Sequence, residues 1–271
     1  MKTSNHLLRR LTAALLAAVL ALSIALPVFA SDDGDTIYIN SVSDLLSLAK
    51  SCAYDQWSVG KTVILQKDLS LEGMLWEPIP SFSGQFKGNG HTISDLTITG
   101  QYSPAGLFGI VEEQGSIESL SVRGVVSVSD SADTTTGGIV GINHGTLINC
   151  QFTGVVTGDS EVGGIVGRNE SEGTIDHSTA RAIVTGKSST GGIAGYNLGA
   201  ITGCTNVGSI NTEYQEASLD TDGFTAKMVD QINNKIAAAD DDATNSVTNV
   251  ATDTGGIAGR SSGMILTSVN T

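Results

Sequence analysis

The sequence predicts an all-β solenoid, a rod in which short strands joined by corners form coils that stack in parallel. One phrase of two small residues, an apolar pair and a glycine recurs along the chain, at 105–109, 137–141, 163–167, 191–195 and 255–259. The steps between copies are 32 (106 to 138), 26 (138 to 164), 28 (164 to 192) and 64 (192 to 256) residues, a period typical of stacked repeat units. Within each copy, apolar and polar residues alternate with period two, which indicates strands.

A bend residue interrupts this alternation in the second half of each coil, in segments 115–122, 145–152, 173–180, 199–206 and 263–270. An earlier segment, 90–98, fits the same frame. Most residues in the bend column are of types that tolerate left-handed backbone conformations, which a strand corner requires. Thr267 does so poorly and predicts a distorted last coil. The column comprises Asp95, Ser119, Asn149, His177, Gly203 and Thr267.

Residues 1–30 have the pattern of a secretory signal peptide. Three basic residues precede an apolar run that ends in Val28-Phe29-Ala30 and is followed by acidic residues. We expect cleavage there, and the alternative is an uncleaved membrane anchor. After cleavage 11 of the 14 basic residues remain against 28 acidic ones, a net charge of about −17. Such a surface disfavours nucleic acid and anionic lipid as partners and favours solubility over cation binding.

Residues 31–81 are predicted to cap the first coil. Residues 36–39 and 62–65 have strand character, and Ser43 is a candidate N-cap for a helix that runs to about Ala53. The cap would cover an otherwise open strand edge. Trp57 and Trp76 are expected to pack this cap, with ligand stacking as the alternative for Trp76. The apolar face of the helix comprises Leu45, Leu46, Leu48 and Ala49.

The coils proper are predicted over residues 82–271. Their stacking would place one inward column at Ile139, Ile165, Ile193 and Ile257 and another at Leu147, Ile175, Ile201 and Ile265. Asn143, Asn169 and Asn197 recur two residues after the last glycine of the phrase, with Ser261 in the final copy. Stacked amides at this position would bond from coil to coil as a structural ladder, so these asparagines are not expected to form a site.

The three cysteines are too few for a disulfide framework. Cys150 and Cys204 share one column of the repeat with Ser178 between them. Two rungs separate their sulfur atoms by about 9–10 Å, too far for a bond, so both are predicted to be small buried packing residues. Cys52 lies outside the repeat.

One interval, about 211–254, breaks the period with an acidic insert that is helix-prone over 224–239. Such an insert is either a binding surface or a tolerated excursion. Its fragments 220–223 and 240–242 resemble parts of calcium loops without completing one, so no metal site is predicted. The last copy stops before its third strand, from which we expect the chain to continue into a longer polypeptide.

No catalytic constellation is apparent. The candidate outward-facing charges are scattered one per coil, and His91, His144 and His177 are more simply turn residues. These charges are Glu118, Asp176, Arg168, Arg181 and Lys187. Neither a catalytic residue nor a cofactor is predicted.

The runs 75–79 and 82–93, followed by the Gly-Gly-Ile-Val-Gly-x-Asn copies, resemble secreted bacterial proteins with the GLUG motif. The resemblance covers most of residues 36–271 and implies a pectate-lyase-like right-handed parallel β-helix. Family members are large secreted or cell-surface proteins, and the repeats also occur beside catalytic domains, as in IgA-specific metalloendopeptidases. That protease activity needs a His-Glu-x-x-His zinc motif, and none of the four histidines stands in one.

The expected function is therefore a non-enzymatic secreted or cell-surface scaffold, adhesin-like, that presents its coils or its insert to host glycans or surface proteins. The alternatives are a carbohydrate-active β-helix enzyme, either a polysaccharide lyase or a glycoside hydrolase, and the repeat region of a larger surface protease.

Overall fold

The computed structural model describes residues 35–54, 56–128, 134–211 and 252–271. It contains one helix in this part of the chain, α1 (Val42–Ser51). The first strands are β1 (Thr36–Ile39), β2 (Thr62–Leu65), β3 (Leu69–Ser70), β4 (Ile79–Phe82), β5 (Gln85–Lys87), β6 (Thr92–Gly100), β7 (Phe108–Val111), β8 (Ser116–Glu118), β9 (Ser121–Val128), β10 (Thr136–Gly137), β11 (Val140–Asn143), β12 (Thr146–Ile148) and β13 (Gln151–Thr157). The remaining strands are β14 (Val162–Gly163), β15 (Val166–Asn169), β16 (Thr174–Asp176), β17 (Thr179–Thr185), β18 (Ser188–Gly191), β19 (Ala194–Asn197), β20 (Ala200–Thr202), β21 (Thr205–Asn206), β22 (Ser209–Ile210), β23 (Thr252–Gly255), β24 (Ala258–Ser261), β25 (Met264–Leu266) and β26 (Val269–Asn270).

These strands form four sheets in which every strand pair is parallel. The first sheet has the order β1-β2-β5-β8-β12-β16-β20-β25, and the second has the order β10-β14-β18-β23. The third has the order β24-β19-β15-β11-β7-β4, and the fourth has the order β26-β21-β17-β13-β9-β6-β3, with β22 beside β17. Because strands adjacent in a sheet come from successive coils, the chain is a parallel β-solenoid, which confirms the predicted fold class.

The double-glycine phrases lie side by side in register. Gly137 pairs with Gly163, Gly163 with Gly191, and Gly191 with Gly255. A side chain at these positions would collide both with its own coil and with the next one: a β-carbon at Gly163 would approach the Val166 carbonyl oxygen of the same coil to 1.9 Å and the Gly195 nitrogen of the next coil to 2.7 Å. Glycine is therefore required at this position of the coil.

The interior is filled by apolar columns that run along the stack. Ile139, Ile165 and Ile193 have no exposed surface, and the same holds for Leu147, Ile175 and Ile201. At the N-terminal end three phenylalanines pack against one another, with ring centroids 5.4–6.3 Å apart; two of the pairs are edge to face and one is tilted. These are Phe82, Phe86 and Phe108. A single coil is too small to bury such side chains, so the core exists only because coils stack.

Every member of the predicted bend column has a positive φ, from 47° at His177 to 62° at Gly203. Thr267 adopts the same conformation at 48°. The strands on either side, β25 and β26, remain in register with β20 and β21. The expected distortion of the last coil is therefore wrong, since the β-branched residue accepts the strained conformation.

A second corner also uses left-handed residues. Glu161, Ser189 and Asp253 have φ of 24°, 45° and 55°. Glu161 directly precedes β14, whereas Ser189 and Asp253 are the second residues of β18 and β23. The sequence did not predict this corner, because a glutamate is not a residue type that favours this region of φ/ψ space.

The N-terminal helix is present, but its start is two residues earlier than predicted. Ser41 is the N-cap: its backbone is extended (φ −151°, ψ 164°) and its Oγ accepts a hydrogen bond from the Asp44 N–H at 3.2 Å. Ser43 is already helical, so its assignment as the cap is wrong. Leu45 and Leu48 are buried, while Leu46 and Ala49 are half-buried.

Residues 31–81 also contribute strands to the sheets. β2 pairs in register with β5, and β4 with β7. Trp76 is 1% exposed and its Nε1 donates a hydrogen bond to the Leu107 carbonyl at 3.1 Å. Trp76 is therefore a core residue, and its alternative role in ligand stacking is excluded by burial. Trp57 is half-buried beside Lys61, whose Nζ lies 5.4 Å from the ring centroid.

The predicted signal peptide, residues 1–30, and almost all of the insert, including its helix-prone part, lie outside the described residues. Within the described ranges, no helix has the length and apolarity needed to cross a membrane.

Candidate functional site

Two polar ladders run through the interior of the solenoid. In the first, Asn143 Nδ2 donates to Asn169 Oδ1, and Asn169 Nδ2 donates to Asn197 Oδ1, both at 2.8 Å. Asn197 Nδ2 donates to Ser261 Oγ at 3.1 Å. The three asparagines have no exposed surface. A similar bond joins Asn206 Nδ2 to Asn270 Oδ1 at 2.7 Å, and the sequence analysis missed it.

The second ladder contains the two cysteines of the repeat. The Cys150 N–H donates to Ser178 Oγ at 3.1 Å, and the Ser178 N–H contacts Cys204 Sγ at 3.4 Å. The Cys204 N–H donates to Ser268 Oγ at 3.2 Å. Both thiols are buried and free, as the packing role predicted. All members of these ladders before the last coil are buried, so this part of the ladders stabilises the stack and is not accessible to a ligand.

The outside of the third sheet carries a different kind of column. We use the term outward column for the residues that stand in register on its exposed side from β4 to β24: Ser81, Ile110, Ile142, Arg168, Tyr196 and Arg260. Adjacent members lie one rung apart, about 4.8 Å. The column is polar at its start, apolar at its centre, and cationic and aromatic at its C-terminal end.

Two carboxylates hold the guanidinium of Arg168. Its Nη1 donates to Glu161 Oε1 at 2.9 Å, and its Nε donates to Glu170 Oε1 at 2.6 Å. Thr135 Oγ1 donates to the second oxygen of Glu161 at 3.2 Å. Glu161 precedes β15 and Glu170 directly follows it, so the two carboxylates come from segments on either end of the strand that carries Arg168.

The Tyr196 ring lies between two guanidinium groups. Arg168 Cζ is 5.2 Å and Arg260 Cζ is 5.3 Å from the ring centroid, within the range of a cation–π interaction. Both faces of the ring are therefore covered by arginine, and only its edge and hydroxyl remain on the outside.

Arg260 repeats the position of Arg168 with different neighbours. Glu161 stands seven residues before Arg168, whereas the shorter Asp253 stands seven before Arg260. Glu170 stands two residues after Arg168, whereas Ser262 stands two after Arg260. In the described part of the chain no carboxylate lies within ion-pair distance of Arg260, which is exposed. The guanidinium of Arg168 is thus paired with two carboxylates, whereas the guanidinium of Arg260 is paired with none among the described residues.

The charged residues considered as catalytic candidates lie on different sides of the solenoid. Glu118 and Asp176 share a column of the first sheet with Ile148 between them. Lys187 pairs with Asp159, and Arg181 lies on the fourth sheet beside Thr153. Only Arg168 joins a cluster, and its partners Glu161, Glu170 and Tyr196 were not identified from the sequence.

The three histidines of the described residues, His91, His144 and His177, occupy turns or corners. His91 Nδ1 lies 3.1 Å from Asp68 Oδ1, and His177 Nδ1 lies 2.8 Å from Asp176 Oδ1. The Thr92 N–H and then His91 lower the pKa of Asp68. Across the residues that the structure covers, no three His, Cys, Asp or Glu side chains are grouped as metal ligands.

Comparison with known proteins gives matches to parts of longer relatives. Halomucin of Haloquadratum walsbyi is 32% identical over 155 residues, which is 52% of this chain and 2% of Halomucin. A protein named as a Gly-rich membrane protein of Evansella cellulosilytica is 29% identical over 137 residues, 36% of this chain and 16% of that protein. The chain therefore spans only a small part of the length of either relative.

Among solved structures, a protein of Bacteroides ovatus assigned as an immunoglobulin A1 protease is similar with a TM-score of 0.43. The identity is 15%, over 69% of this chain and 82% of that one. Residues 158–185 match the family model of the GLUG motif. They include the corner at Glu161, the third copy of the repeated phrase, Asn169 of the ladder and the strand β17. The chain is a repeat protein that carries the GLUG motif on a parallel β-solenoid.

Proposed function

We propose that this chain is a non-enzymatic, adhesin-like scaffold of the bacterial cell surface or extracellular space, which binds glycans or proteins of host or neighbouring cells on the outside of its coils. The single observation that carries this proposal is the fixed register of the outward column. Side chains held at one-rung spacing by a rigid sheet are pre-organised, so binding costs little conformational entropy.

The interior supports the same assignment. The ladders and the apolar columns are enclosed by neighbouring coils and are used in packing. A ligand therefore meets the outside of the sheets, where the third sheet combines two guanidinium groups with an aromatic edge. The names of Halomucin and of the Gly-rich membrane protein suit a protein of the cell surface.

Binding of the purified protein to a glycan array and to a panel of immobilised host surface proteins tests the proposal. We expect selective binding that Tyr196→Ala weakens, because this change removes the ring that orders both arginines. Thr153→Ala is the matched control, since Thr153 faces outward on the fourth sheet and its loss is expected to leave binding unchanged.

The same protein is incubated with pectins and host glycans, and reducing ends or unsaturated products are measured. Turnover would overthrow the non-enzymatic assignment in favour of a carbohydrate-active enzyme. Absence of binding on both panels would contradict the adhesin-like role.

A further inference from the structure

We propose that Arg260 is the binding residue for the carboxylate of an acidic sugar carried on an otherwise uncharged glycan, seated where Glu170 sits against Arg168. This inference deepens the proposed function and rests on it. It comes from comparing two coils of the same molecule, one of which contains its own carboxylate at this position and one of which does not.

The Arg168 coil gives the geometry of the occupied position. Glu170 Oε1 accepts from Nε of Arg168 at 2.6 Å, and Cζ of the same guanidinium lies 5.2 Å from the centroid of the Tyr196 ring. Charge-assisted bonds of this kind are short and strong, and a guanidinium forms them with carboxylate, sulfate and phosphate groups alike.

The Arg260 coil has the same guanidinium without that carboxylate. Arg260 stacks on the opposite face of Tyr196 at 5.3 Å, so its orientation is restrained in the absence of a ligand. Ser262 replaces Glu170 and has no charge, and Asp253 is one methylene shorter than the corresponding Glu161. Arg260 is exposed on the third sheet, and no carboxylate of the described residues lies within ion-pair distance of it.

The charge of the whole chain selects among anionic ligands. With a net charge of −14 the protein repels polyanions such as nucleic acids and heavily sulfated chains. One carboxylate on a neutral glycan keeps the local attraction of Arg260 and avoids most of this repulsion. The half-buried edge and hydroxyl of Tyr196 add an apolar contact and a hydrogen-bonding group beside the anion, as a sugar ring requires.

The test compares lactose, 3′-sialyllactose and 3′-sulfated lactose as probes, with affinity measured by calorimetry. We expect sialyllactose to bind at least about tenfold more tightly than lactose. Arg260→Gln is expected to remove this difference. Arg181→Gln, which removes the same charge from an exposed arginine of the fourth sheet, is expected to keep it.

A second pair of variants places a side chain of this protein in the proposed ligand position beside Arg260. Ser262→Glu places a carboxylate where Glu170 stands in the other coil, so it is expected to abolish sialyllactose binding while the melting temperature stays the same or rises. Ser262→Gln has the same length without the charge and is expected to retain binding. This pair leaves Arg260 and its stacking in place.

The outcomes separate the two proposals. Selective glycan binding that is insensitive to both Arg260→Gln and Ser262→Glu would overturn the Arg260 site and leave the adhesin-like function standing. Equal affinity for sialyllactose and sulfated lactose would overturn selectivity for a carboxylate, because the site would then recognise anions in general. Absence of binding to every glycan would overturn both.

Discussion

At the scale of single residues, the side-chain hydroxyl of Thr136 is a buried polar group that lacks a hydrogen bond in the part of the chain that the structure describes. Its Oγ1 is buried and is without a hydrogen-bond partner among the described residues. The next rung has Val162 in the same register. Since an unpaired buried hydroxyl costs about 1–3 kcal/mol, Thr136→Val is expected to raise the free energy of unfolding by about 1 kcal/mol in urea titrations.

Thr190 provides the control for this prediction. It stands one rung beyond Val162, and its Oγ1 donates to the Ser188 carbonyl at 3.5 Å. Thr190→Val replaces a bonded hydroxyl and is expected to give no gain. Equal stabilisation by both changes would point to apolar burial in general and not to the unpaired oxygen.

The three thiols are expected to be inert in the folded protein. Burial raises the pKa of Cys52 and Cys150 to about 12 and that of Cys204 to about 11. The thiolate is the reactive form, so at pH 8 none should be alkylated by iodoacetamide until denaturant is added. Mass spectrometry with and without urea measures this. A thiol that reacts in the native state would contradict its burial.

At the scale of structural elements, the asparagine ladder is expected to contribute most at its centre. Asn169 both donates to Asn197 and accepts from Asn143, whereas Asn143 faces Val111 in the preceding coil. Asn169→Ala leaves two buried amides short of a partner and is expected to cost about 2–4 kcal/mol in the free energy of unfolding.

Asn143→Ala is expected to cost less, because only one ladder bond is lost. Thermal unfolding of the two variants gives the comparison. If the terminal change were as costly as the central one, the bonds of each asparagine to its own turn, such as Asn143 Nδ2 to the Gly145 carbonyl at 3.2 Å, would be the dominant contribution.

The corners differ in how far the sequence determines them. The bend column was predictable because Asp95, Asn149 and Gly203 are residues that enter left-handed conformations readily. The corner at Glu161 was not, since glutamate is not a residue type that favours left-handed conformations, yet Glu161 has a φ of 24°. Its carboxylate accepts from Arg168 and Thr135, which lie far from the corner's local sequence pattern.

The candidate site was hidden for the same reason. Arg168, Tyr196 and Arg260 are 28 and 64 residues apart, and nothing in their local sequence marks them as a group. Their contacts follow from the register, which sequence analysis obtained from the glycines. Once that register is known, columns of outward residues can be read from the sequence, and a column with an aromatic residue between two arginines becomes visible.

At the scale of the whole molecule, a polypeptide produced so that it ends at Thr271 is expected to open from that end of the stack. Ile265 is 38% exposed, whereas Ile201 and Ile175 in the preceding coils of the same column are fully buried. In a solenoid each coil is stabilised by its neighbours, so a coil with one neighbour opens most easily.

Hydrogen exchange measures this difference. Amides of β25 and β26 are expected to exchange fastest, β20 and β21 more slowly, and β12 and β16 most slowly. Uniform protection along the rod would mean that the solenoid unfolds in one cooperative step and that coils have no separate stability.

The place where the regular coil is interrupted has a consequence for engineering. β22 ends at Ile210 and β23 begins at Thr252, yet Asn211 Nδ2 donates to Thr254 Oγ1 at 2.9 Å. This hydrogen bond joins the residue at which the chain leaves the regular coil to the strand with which it returns, and β23 keeps its register with β18. Closing a longer loop between fixed points adds little entropic cost. Foreign peptides inserted at this corner for display are therefore expected to leave the solenoid unchanged.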